Sequence, residues 1–119
     1  YTQNIDGLER RAGVPPEQIV EVHGTMASVS GVDSKQAYDV EEFKEALRND
    51  TWRELFARHG EVLKPDVVLY GEALPPRFAE LAATDVTECN CLIVLGTLLR
   101  VRPFNSLLSR VGPDVPRVL

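Results

Sequence analysis

Cysteine is nearly absent from this sequence: Cys89 and Cys91 are the whole thiol inventory of 119 residues. They sit two apart on one face of an expected strand, where closing them into a disulfide would strain the chain. They read as small buried hydrophobes, and the compartment as a reducing one. No apolar run approaches the roughly 18–20 residues needed to cross a bilayer, and the polar opening Tyr1–Arg11 does not resemble a signal sequence. Clustered cations are missing too, with 18 acidic against 13 basic side chains and a net charge of −5. Binding to nucleic-acid phosphates rests on a cationic surface, so no direct nucleic-acid partner is expected; a basic peptide suits the balance better. There is no G-x-G-x-x-G, no internal repeat and no low-complexity linker.

What is present fits one globular domain: 44% hydrophobic and 26% charged residues in a length that suits one domain better than two. Asp6–Ala12 reads as a short helix capped by Asp6 and stopped by Gly13. Ile19–Val22 reads as a short β-branched strand leading to His23-Gly24. Val40, Phe43 and Leu47 share one face of an expected helix over 40–48, which Asn49–Thr51 break. A second helical stretch carries Trp52, Leu55 and Phe56. Val62–Tyr70 is strand-like, interrupted by Pro65. Pro75-Pro76 open a helix striped by Leu74, Phe78, Leu81 and Ala82. Cys91–Leu95 reads as a parallel strand buried on both faces, Pro103–Val111 as the next helix, and Arg117–Leu119 as another strand. The alternation predicts an α/β fold with a partial Rossmann-like parallel sheet. The stretch from about Ser30 to Glu61 interrupts that rhythm and is expected to be a small inserted module. The apolar close at Val118-Leu119 suggests a piece of a longer protein.

Three places could carry chemistry. Gln3, Asn4 and Asp6 offer different hydrogen-bonding groups near an expected strand end, the usual place for ligand contacts in an open α/β sheet; a turn plus helix cap accounts for the same residues. His23 carries an imidazole, the kind of side chain that can take a proton from a hydroxyl, with Gly24 permitting close approach; a structural histidine is the plainer alternative. Gly96-Thr97 lie at a strand-to-loop junction that suits a nucleotide. Leu98-Leu99 read as core, and His59 as a solvated helix-end residue.

Taken in order, YTQNIDGLERRAG, VEVHG, LKPDVVLYGEALPPRF and CLIVLGTLLRVRPF closely resemble the catalytic core of the sirtuins, NAD-dependent protein-lysine deacylases. The resemblance covers most of the chain, and the GEALPP segment is most similar to the branch of cytosolic and nuclear protein deacetylases. It implies that Gln3, Asn4 and Asp6 line the nicotinamide–ribose part of an NAD site. His23 would be the general base that deprotonates a ribose hydroxyl after the acyl oxygen has attacked the anomeric carbon and nicotinamide has left. The products would be free lysine and O-acyl-ADP-ribose. Val68, Leu69, Tyr70, Gly71 and Glu72 would hold an acyl-lysine peptide, added as an extra strand. Gly96, Thr97 and the residue after them would contact the adenosine half of NAD.

Three departures stand beside the resemblance. The sirtuin zinc is held by two C-x-x-C pairs, and the aligned positions are Gly31, Ser34, Phe56 and His59, a set that cannot close a four-coordinate site. Such sites contribute roughly 10–16 kcal/mol in small peptides, so a looser module is expected over about 30–61 unless Trp52, Leu55 and Phe56 pack it another way. The family's glycine-rich phosphate loop and its adenine-side strand end lie outside the sequence, which is therefore expected to be inactive alone. The usual serine after Gly-Thr is Leu98. Mono-ADP-ribosyl transfer and a non-catalytic peptide-binding module remain as alternatives, and an intracellular, cytoplasmic or nuclear, location is expected.

Overall fold

A computed structural model describes residues 1–119, which divide into two compact units, Tyr1–Pro75 and Pro76–Leu119. No helix is long and apolar enough to cross a membrane.

The first unit is built on a three-stranded antiparallel sheet in the order β2-β1-β3, with β1 at Gly24–Gly31, β2 at Ala37–Tyr38 and β3 at Leu63–Val67. The pairs Val29↔Tyr38, Val29↔Pro65 and Gly31↔Leu63 fix its register, and the ladder slips between Gly24 and Val29. Pro65 is compatible with this strand because β3 lies at the sheet edge, where the missing N–H costs no ladder bond.

Between β2 and β3 come α2 (Val40–Arg48) and α3 (Trp52–His59). Asp39 caps α2: its Oδ1 accepts the N–H of Glu41 at 2.8 Å and of Glu42 at 3.0 Å. Asp50, at φ 55°, and Thr51 separate the helices, and Gly60 ends α3 in the left-handed conformation. Val29, Phe43, Ala46, Leu55 and Leu63 form the core, with Tyr38, Val40 and Phe56 packed against it. Phe56 stacks on Phe43 at 6.5 Å and meets Trp52 edge-on at 5.6 Å. The buried face of α2 is thus Phe43 and Ala46; Leu47, expected inside, is exposed. Phe43 and Ala46 are three apart and face the sheet together, which turns Leu47 outward.

The amino-terminal expectations are met only in part. The helix α1 is one turn, Leu8–Arg11, preceded by Gly7 at φ 68°; Asp6 instead accepts the Leu8 N–H at 3.0 Å in a local turn. The segment expected as a strand at Ile19–Val22 makes a single parallel bridge, Thr2↔Glu21, with Thr2 N–H donating to Val20 O at 2.9 Å and Val22 N–H to Thr2 O at 3.0 Å. Burial of Ile19, Val20 and Val22 supplied the strand-like pattern without a ladder.

In the second unit α4 (Pro76–Glu88) buries Phe78, Ala82 and Val86, four apart along one face. It packs on a 3-10 helix over Phe104–Arg110, inside the helix expected at Pro103–Val111; Phe104 and Leu107 are buried there, followed by Val111. A short parallel pair, β4 (Leu92–Ile93) with β5 (Arg117–Val118), is crossed over by that helix. The Arg117 guanidinium donates to the carbonyls of Val111 (3.0 Å), Gly112 (3.1 Å), Pro113 (3.3 Å) and Val115 (2.9 Å), which holds the preceding turn.

Burial of Cys91–Leu95 on both faces is not observed: the ladder is two residues long and covers neither Ile93 nor Leu95, both exposed. The cysteines do not share a strand face. Cys89 is half-buried at the end of α4, its Sγ 3.6 Å from Val86 O, and Cys91 is exposed. Leu98, expected in the core, is 78% exposed, and Leu99 is half-buried at φ 52°.

Candidate functional site

His23 stands where three backbone segments of the first unit meet. Its ring Nδ1 lies 3.0 Å from the carbonyl oxygen of Gln3, and its own carbonyl accepts the Val68 N–H at 2.9 Å. The histidine is therefore tied on one side to the opening polar cluster and on the other to the segment expected to hold peptide. A carbonyl can only accept, so the ring contact is a hydrogen bond when Nδ1 carries the proton. Neutral His23 then has its lone pair on Nε2, the atom left to act as a base.

Gly24 fixes that junction. Its φ is 74°, and a Cβ there would run into the Asp66 carbonyl, so β1 and β3 approach only because the side chain is missing. Ser28 reinforces the approach by donating to Asp66 Oδ2 at 2.5 Å. The segment before His23 is held by Arg10, which forks onto Glu21 with contacts of 3.1 and 2.6 Å. The hydrogen bonds from Arg10 hold the Glu21 carboxyl below its ordinary range, and in return raise the guanidinium.

Of the opening cluster, Gln3 meets His23 through its main chain. Asn4 and Asp6 are exposed, Asn4 on a turn whose N–H donates to Thr2 Oγ1 at 3.1 Å. Val68 follows β3, but the strand-like run ends there. Leu69–Glu72 is a hydrogen-bonded turn, closed by Glu72 N–H donating to Leu69 O at 3.0 Å with Gly71 at φ 89° in its third position. The Glu72 carboxylate accepts the Leu69 N–H at 2.8 Å and the Lys64 ammonium at 2.9 Å, and the first of these chiefly lowers its pKa. Leu69 and Tyr70 are exposed.

Gly96, Thr97 and Leu98 belong to the second unit. Gly96 is exposed at φ 65°, with no atom within 4 Å of a would-be Cβ, and Thr97 Oγ1 accepts the Leu99 N–H at 3.1 Å.

Of the four positions that the resemblance sets against zinc ligands, Gly31 ends β1 and Ser34 lies in the β1–β2 connection, while Phe56 and His59 are on α3. The Phe56 ring belongs to the core stack. His59 is not a solvated helix-end residue: its ring lies edge-on to Tyr38 at 4.7 Å, and Nε2, buried without a hydrogen bond, is 3.6 Å from Glu42.

The residue that sequence reasoning missed is Glu61. Its Oε1 accepts the hydroxyls of Ser34 at 2.6 Å and Tyr38 at 2.7 Å; its Oε2 accepts the N–H groups of Ser34 at 3.1 Å and Asp33 at 3.2 Å. Those donors, the Ser34 hydroxyl first and Tyr38 next, hold its carboxyl at about 2, while Glu61 raises the Tyr38 phenol. The signal available was an acid two residues after the last aligned ligand position, opposite a loop rich in donors.

The family model described as Sir2 family matches residues 1–103. The chain is 44% identical over 121 residues to the Dictyostelium discoideum protein named NAD-dependent deacetylase sir2A, covering all of this chain and 23% of that one. It is 43% identical to the Trypanosoma brucei brucei protein named NAD-dependent protein deacetylase SIR2rp1, over 99% of this chain and 33% of the relative. With the Danio rerio NAD-dependent protein deacetylase sirtuin-2 it shares 39% identity, over all of this chain and 32% of the relative. The chain belongs to the Sir2 family, and it spans about a quarter to a third of the length of these relatives.

Proposed function

We propose that this chain carries the general base of an NAD-dependent protein-lysine deacylase. The observation that supports it most is the 3.0 Å contact from His23 Nδ1 to the Gln3 carbonyl, which leaves Nε2 as the proton acceptor. NAD, when bound, supplies the ribose carbon that receives the acyl oxygen and nicotinamide as the leaving group. The residues of the first unit fit the nicotinamide–ribose half of that cofactor: Asn4 and Asp6 present exposed polar side chains beside the segment that holds His23.

In this reading Gln3, Asn4 and Asp6 line the nicotinamide–ribose side. His23 Nε2 takes a proton from a ribose hydroxyl, and the Gln3 carbonyl steadies the resulting imidazolium through Nδ1–H. Val68–Glu72 receive the acyl-lysine peptide. Since the Leu69 N–H is engaged by Glu72, an added peptide strand must compete with that carboxylate for it. The zinc of the family has no counterpart donor set in Gly31, Ser34, Phe56 and His59.

A second reading has an observation of its own. Leu98 presents a branched apolar group, 78% exposed, where the family usually has a hydroxyl, which suits a peptide-binding module that no longer turns over NAD. Incubating the longest natural polypeptide containing this chain with NAD and an acetyl-lysine peptide separates the two. The deacylase releases nicotinamide and free lysine; the binding module captures peptide and releases neither.

A further inference from the structure

The centre that the family builds around a cation is built here around an anion. Each oxygen of the Glu61 carboxylate takes two donors, and all four come from Asp33, Ser34 and Tyr38 on the β1–β2 connection and β2. The backbone closes over the same group: a Cβ on Gly31 would overlap the carboxyl carbon and both oxygens, so the absence of a side chain there is what admits the carboxylate. Val32 N–H donates to Val62 O at 2.8 Å, fastening the loop beside it. The geometry is opposite to a metal site in sign. A metal gathers lone pairs, whereas two N–H groups and two hydroxyls point their positive ends at one point. Of the other aligned positions, Phe56 has no donor atom and lies in the core stack. His59 offers one imidazole nitrogen, whose nearby acid, Glu42, is already paired with Arg58. No three His, Cys, Asp or Glu side chains converge anywhere in the chain.

We propose that the Glu61 carboxylate does the work of the family's metal ion, tying the loop at 31–36 to the approach to β3, so that the module over Gly24–Val67 folds without a metal. Both cysteines, Cys89 and Cys91, lie outside this module. Its fold is therefore indifferent to chelators and to thiol oxidants, either of which would dismantle a cysteine–zinc site.

The test does not depend on enzymatic activity, so its failure leaves the deacylase reading standing. The full chain is dialysed against EDTA, assayed for zinc by atomic spectroscopy, and melted with and without added zinc. Far less than one zinc per chain and an unchanged melting temperature are expected. Stoichiometric zinc, a melting temperature that falls on chelation, or a chain that is unfolded in EDTA overturns the proposal. A double-mutant cycle reads the carboxylate itself. Glu61→Ala lowers the melting temperature by several degrees and speeds hydrogen exchange at the Asp33 and Ser34 amides. Gly31→Ala is destabilising beside Glu61 and much less so in the Glu61→Ala background, because the group it collides with is gone. Additive effects, or amide exchange unmoved by Glu61→Ala, contradict it.

Discussion

The imidazole of His23 and the main-chain carbonyl of Gln3 face each other at 3.0 Å across twenty residues of sequence. A backbone acceptor determines the tautomer whatever side chain Gln3 carries. Long-range nitrogen–proton NMR correlations should therefore show neutral His23 protonated at Nδ1 and bare at Nε2. A proton on Nε2 with Nδ1 bare would mean that the ring does not donate to the Gln3 carbonyl.

Gly24→Ala should be far more damaging than a one-methyl change suggests. The left-handed backbone alone costs about 1–2 kcal/mol for an L-residue, and the new Cβ meets the Asp66 carbonyl. Denaturant unfolding should show a loss of at least that size. A change under about 0.5 kcal/mol would show that β1 and β3 are not held together at this point.

Leu55→Ala and Leu47→Ala separate the two helices of the module. Leu55 is 1% exposed and Leu47 is 50% exposed. The first truncation should cost about 2–5 kcal/mol and the second under roughly 0.5 kcal/mol. Equal costs would contradict the packing described.

Helix existence was legible here because 3.6-residue periodicity marks each apolar stripe; which stripe residue faces inward was not. Phe43, Leu47 and Val40 fit one face on paper, yet the sheet takes Phe43 with Ala46. The same limit applied at Ile19–Val22, where burial gave a strand-like pattern but backbone pairing stopped at one bridge. The site was legible in parts. Gln3 and His23 are brought together, but by a carbonyl that every residue possesses, so the side-chain identity at Gln3 gave no hint of the contact. Glu61 carried only a faint signal, because its donors lie 23–28 residues earlier in the chain and reach it only when that loop folds back. Leu69 and Tyr70 read as strand because the apolar run from Val67 continued through them, whereas the positive φ at Gly71 turns the chain.

Acid should destabilise the first unit in a definite direction. The Glu21 carboxyl lies below its ordinary 4.5, held by the hydrogen bonds from Arg10, and the Asp39 carboxyl below its ordinary 3.8, held by the Glu42 and Glu41 N–H groups. Their stabilisation is fully present above those unfolded values and is lost as pH falls through the lowered folded ones. Unfolding free energy should thus decline below about pH 4.5, and Arg10→Gln should make the decline shallower. An identical slope in that variant would remove the Arg10–Glu21 pair from the account.

The claim that His23 is the proton acceptor of an NAD-dependent deacylase is tested most directly by His23→Ala. The variant is made in the longest natural polypeptide that contains the chain, and nicotinamide release from NAD plus an acetyl-lysine peptide is followed beside NAD binding. Turnover should fall by about 10²–10⁴-fold, as expected on losing a general base, with the dissociation constant for NAD little changed. Undiminished turnover, or a loss explained wholly by weaker NAD binding, would contradict it.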